Sequence, residues 1–211
     1  MGASLAGAAI GGVLAWLGAW VSPRWTTRPR GAWEWALCTV LGAALGYGFG
    51  RGPAGLGPEF LRLAVLSAVV ITASLVDLHD RIIPNELLLA AAALWLVLQV
   101  ADPAGWLQAL AGGAFGFGVL FLLGMLFRGG MGMGDVKMAG VVGLYLGWPA
   151  ALAALLAAFV AGGLVSLALL ALRRVGRKDQ IAFGPFLAAG AIVAALGTPG
   201  IAWLSVGVAG P

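Results

Sequence analysis

Apolar stretches of about 20 residues recur along the whole chain and alternate with short polar segments. A helix needs about 20 apolar residues to cross a bilayer core of about 30 Å. The pattern therefore predicts spans at about 4–22, 32–50, 60–77, 86–101, 105–127, 136–148, 150–172 and 182–208, the last with a break at 197–200. Because the sixth stretch is short for a full crossing, the sequence predicts seven or eight transmembrane helices.

The composition excludes an ordinary soluble domain. Only 9% of the 211 residues are charged and 62% are hydrophobic, whereas soluble domains carry about 25% charged residues. Few residues remain for loops, so we expect one all-α, polytopic integral membrane helical bundle over 1–211. The first 12 residues, "MGASLAGAAIGG", contain no Lys or Arg. We therefore expect a retained first helix rather than a cleaved signal peptide.

Cysteine and charge narrow the functional classes further. Cys38 is the only cysteine and His79 the only histidine, so a disulfide or a zinc site is not expected. His79 is interpreted as a titratable surface residue and Glu34 as a solvated or anchoring group. The net charge of +4 comes from basic residues in short segments between spans, a distribution that favours membrane orientation over nucleic-acid binding.

The basic residues also predict the orientation in the membrane. Ten of the twelve Lys and Arg lie in the odd-numbered segments between spans, and Arg51 and Arg62 are the exceptions. The positive-inside rule then predicts cytoplasmic odd segments and an N-terminus outside. Asp77 and Asp135 both fall on the cytoplasmic side.

These two aspartates are the candidate chemical groups. Asp77 follows the apolar run "LRLAVLSAVVITASLV", at a predicted helix C-terminus, which disfavours an anion by about 0.3–1 kcal/mol. Asp135 follows alternating glycines and is expected at a helix N-terminus, which favours its ionised form. Such a pair suits general acid–base catalysis with water. A proton or ion relay and a structural pair remain alternatives at this point.

The neighbouring residues have supporting roles in this interpretation. Pro84 ends one helix, and Asn85 is expected to cap the next. Gly132 and Gly134 are expected to supply positive φ angles and to let another segment approach the backbone closely. Lys137 either holds the Asp135 charge or anchors the chain at the membrane surface. Rows of glycines spaced by four predict close helix packing and permit a homodimer.

At these residues the chain resembles the prepilin peptidases, the type IV leader peptidases among the GxGD membrane aspartyl proteases. The matching segments are Asp77 with "IIPN" at 82–85, "GMGDVK" at 132–137 and "FGPFLAAGA" at 183–191. The resemblance implies that Asp77 and Asp135 are catalytic, that Gly132 and Gly134 form the GxGD backbone, and that Lys137 has the usual basic position. It also implies cleavage of type IV prepilin or pseudopilin precursors after a short basic leader, at the cytoplasmic face of the inner membrane. No metal or other cofactor is expected.

One departure from the family pattern bears on a second activity. Many bacterial members carry two CxxC pairs in an insertion between the first two helices and also methylate the new N-terminus. Here that place holds "SPRWTTRPRGAW", without cysteine, so we expect a short, peptidase-only form. A bifunctional peptidase/N-methyltransferase, an ion-coupled transporter that uses the same aspartates and an inactive scaffold are the alternatives.

Overall fold

The fold is a bundle of helices. The computed structural model describes residues 2–21, 32–50, 56–101, 105–126, 131–174 and 181–201. Within these ranges all regular secondary structure is helical, which confirms the predicted all-α membrane bundle. The helices are α1 (Gly2–Val21), α2 (Ala32–Gly50), α3 (Pro58–Asp80), α4 (Asn85–Ala101), α5 (Trp106–Leu126), α6 (Met133–Leu146), α7 (Ala150–Ala171) and α8 (Gly184–Ile201).

Helix length separates these elements into two groups. In the described part of the chain, α3, α5 and α7 are long and apolar enough to cross a membrane, with 23, 21 and 22 residues. Shorter apolar stretches, of 10–17 residues, lie in α1, α2, α4 and α8. Helix α6 has 14 residues and is about 21 Å long at 1.5 Å per residue, in agreement with the short sixth span. The break predicted at 197–200 is wrong, because α8 continues to Ile201.

Helix α3 is the central element of the bundle. It packs against α1, α2, α4, α6 and α8, and it is the most buried of the three long helices. Large apolar side chains on the outer helices point away from the bundle, as Leu89 on α4 and Leu107 on α5 do. Since lipid is the solvent for such a surface, only the polar helix ends remain for chemistry in water.

Glycines allow the closest helix contacts. Gly11 of α1 faces Gly42 of α2, and Gly112 of α5 faces Gly143 of α6, at distances that leave no room for a Cβ atom. These rows therefore supply intrachain packing of the kind expected for small residues in membranes. The homodimer remains a prediction.

Five helix termini meet at one end of the bundle. Hydrogen bonds join the start of α2 to the end of α3, the end of α3 to the start of α8, and the start of α4 to the start of α6. Antiparallel neighbours with short connections produce this arrangement, because every second connection returns to the same side. Both candidate aspartates lie at this end.

Candidate active site

Asp77 lies in the last turn of α3 and is 5% exposed. The backbone N–H of Gly184, the first residue of α8, donates a 3.0 Å hydrogen bond to Asp77 Oδ2. A Cβ atom at position 184 would lie 2.7 Å from that oxygen, so the close approach requires glycine. The C-terminus of α3 is unfavourable for an anion, but the N-terminus of α8 supplies a donor and a favourable dipole.

Asp135 lies in the first turn of α6, as expected, and is partly buried. Burial and the nearby Asp77 carboxylate raise the pKa of Asp135 from 3.8 to about 6, although the Gly132 N–H hydrogen bond opposes this shift. The helix N-terminus favours the ionised form of Asp135, but desolvation and the second carboxylate outweigh this effect of the dipole. Asp135 Oδ1 is buried and has no hydrogen-bond partner in the described structure.

The connection from α3 to α4 lies against the start of α6. Arg81 adopts a left-handed conformation at φ 55°, and its N–H donates to the Asp77 carbonyl at 2.9 Å, which ends α3. Ile83 then packs on Gly134, where an added Cβ would lie 3.0 Å from Ile83 Cβ. The predicted close approach at Gly134 is thus observed. The predicted positive φ is wrong for both glycines, because neither Gly132 nor Gly134 has one.

Asn85 has a different role from the predicted helix cap. The Pro84 carbonyl accepts the first hydrogen bond of α4, from Leu88 N–H, so Pro84 has the cap position. The Asn85 side chain instead accepts a 2.8 Å hydrogen bond from Lys137 Nζ. Lys137 is exposed. This contact joins the starts of α4 and α6, a third role for Lys137 besides the two that the sequence suggested.

Sequence reasoning missed two further features of this end of the bundle. Gly184 was part of the matching "FGPF" segment, but nothing in the sequence pointed to its contact with Asp77. The interpretations of Glu34 and His79 are also wrong, because Glu34 is 4% exposed and is hydrogen-bonded to His79. The only sequence signal was an acidic residue placed one turn before Cys38 in an apolar helix.

Potential metal ligands are sparse near the two aspartates. Among the described residues, no group of three or more His, Cys, Asp or Glu side chains is arranged to hold a metal ion. The site therefore consists of two carboxylates from different helices, each with a backbone N–H of a glycine as a donor.

Comparisons with known proteins agree with this geometry. Residues 64–167 match the type IV leader peptidase family, a region that includes both aspartates and ends before Gly184. Three similar curated proteins are each named prepilin leader peptidase/N-methyltransferase. The protein of Bacillus subtilis is 30% identical over 143 residues, 67% of this chain and 58% of that protein. The protein of Burkholderia pseudomallei is 36% identical over 155 residues, which cover 68% of this chain and 49% of that protein. The protein of Pseudomonas putida is 29% identical over 167 residues, which cover 75% of this chain and 56% of that protein.

The chain spans about half the length of the curated relatives it matches. No solved structure matches it. The family match covers the helices that carry Asp77 and Asp135, and the paired carboxylates at the helix ends agree with it. The chain therefore belongs to the type IV leader peptidase family.

Proposed function

We propose that this chain is a membrane-embedded aspartyl endopeptidase that removes the leader from type IV prepilin-like precursors. The observation that carries the proposal is the pair Asp77 and Asp135, which lie at the ends of separate helices at the same end of the bundle, where the Asp77 charge contributes to the raised pKa of Asp135. Family membership and the names of the curated relatives support the choice of substrate.

The hydrogen bonds around the two aspartates suggest separate roles. Asp77 accepts the Gly184 N–H on Oδ2, which stabilises its ionised form. We assign its carboxylate as the general base, which takes a proton from water as the water attacks the scissile carbonyl carbon. Asp135 keeps its proton at mildly acidic pH, because its pKa is about 6. It donates that proton to the carbonyl oxygen.

The second half of the reaction restores both groups. The tetrahedral intermediate collapses when one of its hydroxyl protons returns to Asp135, and the peptide C–N bond breaks. Asp77 gives its proton to the leaving amine nitrogen. The pair ends with one proton, as it began, and the net reaction consumes one water molecule.

The location of the pair supports cleavage at a membrane surface. Both aspartates lie at helix ends, where the substrate's leader would remain in water and its mature apolar helix would stay in lipid. The distribution of basic residues supports the cytoplasmic side for this end. A transporter site would be expected nearer the bilayer midplane, so the position favours the peptidase over that alternative.

We also propose that the chain lacks N-methyltransferase activity, although its relatives carry that name. The segment between α1 and α2 contains no cysteine, whereas family resemblance associates methylation with a cysteine-containing insertion there. The test is to supply S-adenosylmethionine labelled in its methyl group during cleavage. We expect a cleaved but unlabelled product, and a labelled mature N-terminus would contradict the proposal.

The peptidase itself is tested by cleavage of a prepilin with a basic, Gly-ended leader, in liposomes that contain the purified chain. Asp77→Asn and Asp135→Asn should each abolish measurable cleavage, because an amide can neither take nor give the required proton. Asp80→Asn is the matched control on the same helix and should keep the wild-type rate, with and without a chelator. Wild-type cleavage by either of the first two variants would overturn the mechanism.

A further inference from the structure

A partly buried histidine–glutamate pair lies at the same end of the bundle as the candidate site and has no role in the proposed reaction. His79 Nε2, at the end of α3, lies 3.1 Å from Glu34 Oε1, at the start of α2. The Glu34 side chain is 5% exposed and that of His79 is 20% exposed. The other ring nitrogen, Nδ1, lies 2.7 Å from the Leu75 carbonyl oxygen.

The two contacts together require a shared proton. A carbonyl oxygen only accepts hydrogen bonds, so Nδ1 carries a hydrogen that it donates to Leu75. In a neutral ring with that tautomer, Nε2 has a lone pair that faces Glu34 Oε1. A carboxylate there would place two lone pairs against each other. One proton must therefore lie between Nε2 and Oε1, as imidazolium with carboxylate or as neutral ring with carboxylic acid.

Both forms leave the pair without net charge, which suits its location. Glu34 Oε2 is also buried and has no partner among the described residues. An isolated carboxylate in that environment would be costly, whereas a neutral pair is much less so. The pair is therefore a contact between α2 and α3 that buries no net charge.

The pair continues the apolar contact between these two helices. Cys38 of α2 and Leu75 of α3 belong to the same buried cluster. Glu34 lies one turn before Cys38, and His79 lies one turn after Leu75, so the same helix faces meet at the polar end. Asp77 lies between Leu75 and His79 in the chain, but it points to α8, where it contacts Gly184.

We propose that Glu34 and His79 are positioning residues that fix the rotation of α3 about its axis and thereby direct Asp77 toward Asp135. The proposal rests on the catalytic function proposed above for Asp77. A side-chain carboxylate lies about 6 Å from its helix axis, so a rotation of about 10° displaces it by about 1 Å. Displacements of that size can reduce catalytic rates by about 100-fold.

Other ionisable groups near this end of the bundle also act on the Glu34–His79 pair, so their titration contributes to any pH-dependent measurement. Asp77, Asp80 and Arg81 lie on the same segment as His79. Helix α4 contributes Glu86, and the start of α6 contributes Asp135 and Lys137. The described parts of α1 and α8, which also pack against α3, contain no ionisable side chain.

The first test needs no substrate, because His79 is the only histidine in the chain. Nitrogen NMR of ¹⁵N-histidine-labelled protein in detergent micelles reports directly which ring nitrogen is protonated. We expect the wild-type ring to carry a hydrogen on Nδ1, which it donates to the Leu75 carbonyl. In Glu34→Leu the hydrogen on Nδ1 should remain, because Leu75 is still its acceptor, whereas the Nε2 signal should shift because that nitrogen no longer faces a carboxyl oxygen. A wild-type ring with bare Nδ1 would overturn the proposed pair.

The second test measures positioning through kinetics. Gln at position 34 can donate an amide N–H to Nε2, so Glu34→Gln should keep kcat within about threefold of the wild type. Glu34→Leu should lower kcat by at least about tenfold with KM unchanged. It should also move the alkaline limb of the pH profile to lower pH, because a displaced Asp77 raises the pKa of Asp135 less. Glu59→Gln and Glu59→Leu, at the exposed far end of α3, are the matched controls.

The outcomes separate this inference from the proposed function. A Glu34→Leu variant with wild-type kcat and pH profile would overturn the positioning role. If that variant does not fold, His79→Phe replaces it and should show the same loss of kcat. Wild-type chain that cleaves no precursor would overturn the catalytic proposal and the positioning role with it, while the ring nitrogen signals would still decide whether the pair exists.

Discussion

The backbone N–H of Gly184 donates to Asp77 Oδ2 at 3.0 Å and joins residues 107 positions apart in the chain. The start of α8 thereby meets the end of α3, so the positive end of one helix dipole lies on the carboxylate that the other helix end disfavours. Asp135 also has a glycine N–H as a donor, that of Gly132, but its Oδ1 atom is buried without a partner in the described structure, so the two carboxylates still differ in their surroundings.

Substitution of Gly184 by Ala should impair catalysis directly. The new Cβ would lie 2.7 Å from Asp77 Oδ2, so the hydrogen bond must lengthen or the carboxylate must move. A hydrogen bond to a charged group contributes about 1.5–3 kcal/mol, so we expect kcat to fall by about 10- to 100-fold. Gly163→Ala on α7 is the matched control, because nothing lies within 4 Å of its added Cβ. Equal rates for the two variants would show that the contact is dispensable.

The pH dependence of cleavage should follow the titration of the pair. Asp135 must be protonated and its pKa is about 6, so kcat/KM should fall as the pH rises through about 6. It should also fall at low pH, where Asp77 takes up a proton, which gives a bell-shaped profile. Bound substrate excludes water and should move the alkaline limb of kcat above that of kcat/KM. A profile that is flat between pH 4 and pH 8 would contradict the proposed proton transfers.

Stability should depend on the same group with a definite sign. The pKa of Asp135 is raised from 3.8 to about 6 in the folded chain, so the folded state holds the proton more tightly than the unfolded state does. This contribution to stability is complete below about pH 4 and is lost as the pH rises through about 6. Asp135→Asn should therefore melt at a higher temperature than the wild type at pH 7.5. The difference should shrink at pH 4, as measured by thermal unfolding in detergent.

The close contact of Gly134 with Ile83 should be sensitive to one added carbon. In Gly134→Ala the new Cβ would lie 3.0 Å from Ile83 Cβ, so the α3–α4 connection must move away from α6. We expect kcat/KM to fall by roughly tenfold, since a shift of several tenths of an ångström at the catalytic pair is costly. The double variant Gly134→Ala with Ile83→Gly removes the clash and should recover part of the loss. A double variant that is slower than Gly134→Ala would argue against this cause.

Lys137 and Asn85 should behave as one unit. Their hydrogen bond is exposed, and such bonds contribute about 0.5–1.5 kcal/mol. Lys137→Met and Asn85→Ala should each lower kcat/KM by less than about tenfold, and the double variant should be no worse than the larger single effect. If Lys137 instead stabilises the Asp135 carboxylate, Lys137→Met alone would move the alkaline limb of the pH profile, and the two variants would differ.

Helix positions and the two aspartates followed from local sequence. The apolar runs determine where helices form, and Asp77 and Asp135 were identifiable because each is an acidic residue directly beside such a run. The contacts of Gly184 with Asp77 and of Glu34 with His79 were not predictable, because each joins helices far apart in the chain. Their formation depends on how the helices rotate and pack, which a pattern of apolar residues does not specify.

The protonation of Asp135 was also not predictable from its position in the helix alone. The helix terminus at Asp135 favours an anion by less than about 1 kcal/mol, whereas burial and a second carboxylate act in the opposite direction. Both opposing effects require knowledge of the neighbours in space. Asn85 illustrates the same limit, because its side chain contacts Lys137 rather than the backbone of its own helix.

The short α6 has a consequence for how water reaches the peptide bond. It is surrounded by α3, α4, α5, α7 and α8, and with 14 residues against 21 in α5 it is about 10 Å shorter along its axis. The end of α6 lies beside the start of α5, where the Trp148 N–H donates to the Gln108 carbonyl. The difference in length therefore falls at the end that holds Asp135, and we expect a hollow there. We expect the lipid headgroups and their hydration layer to dip at that hollow, so that hydrolysis proceeds at a thinned patch of bilayer without any channel through the protein.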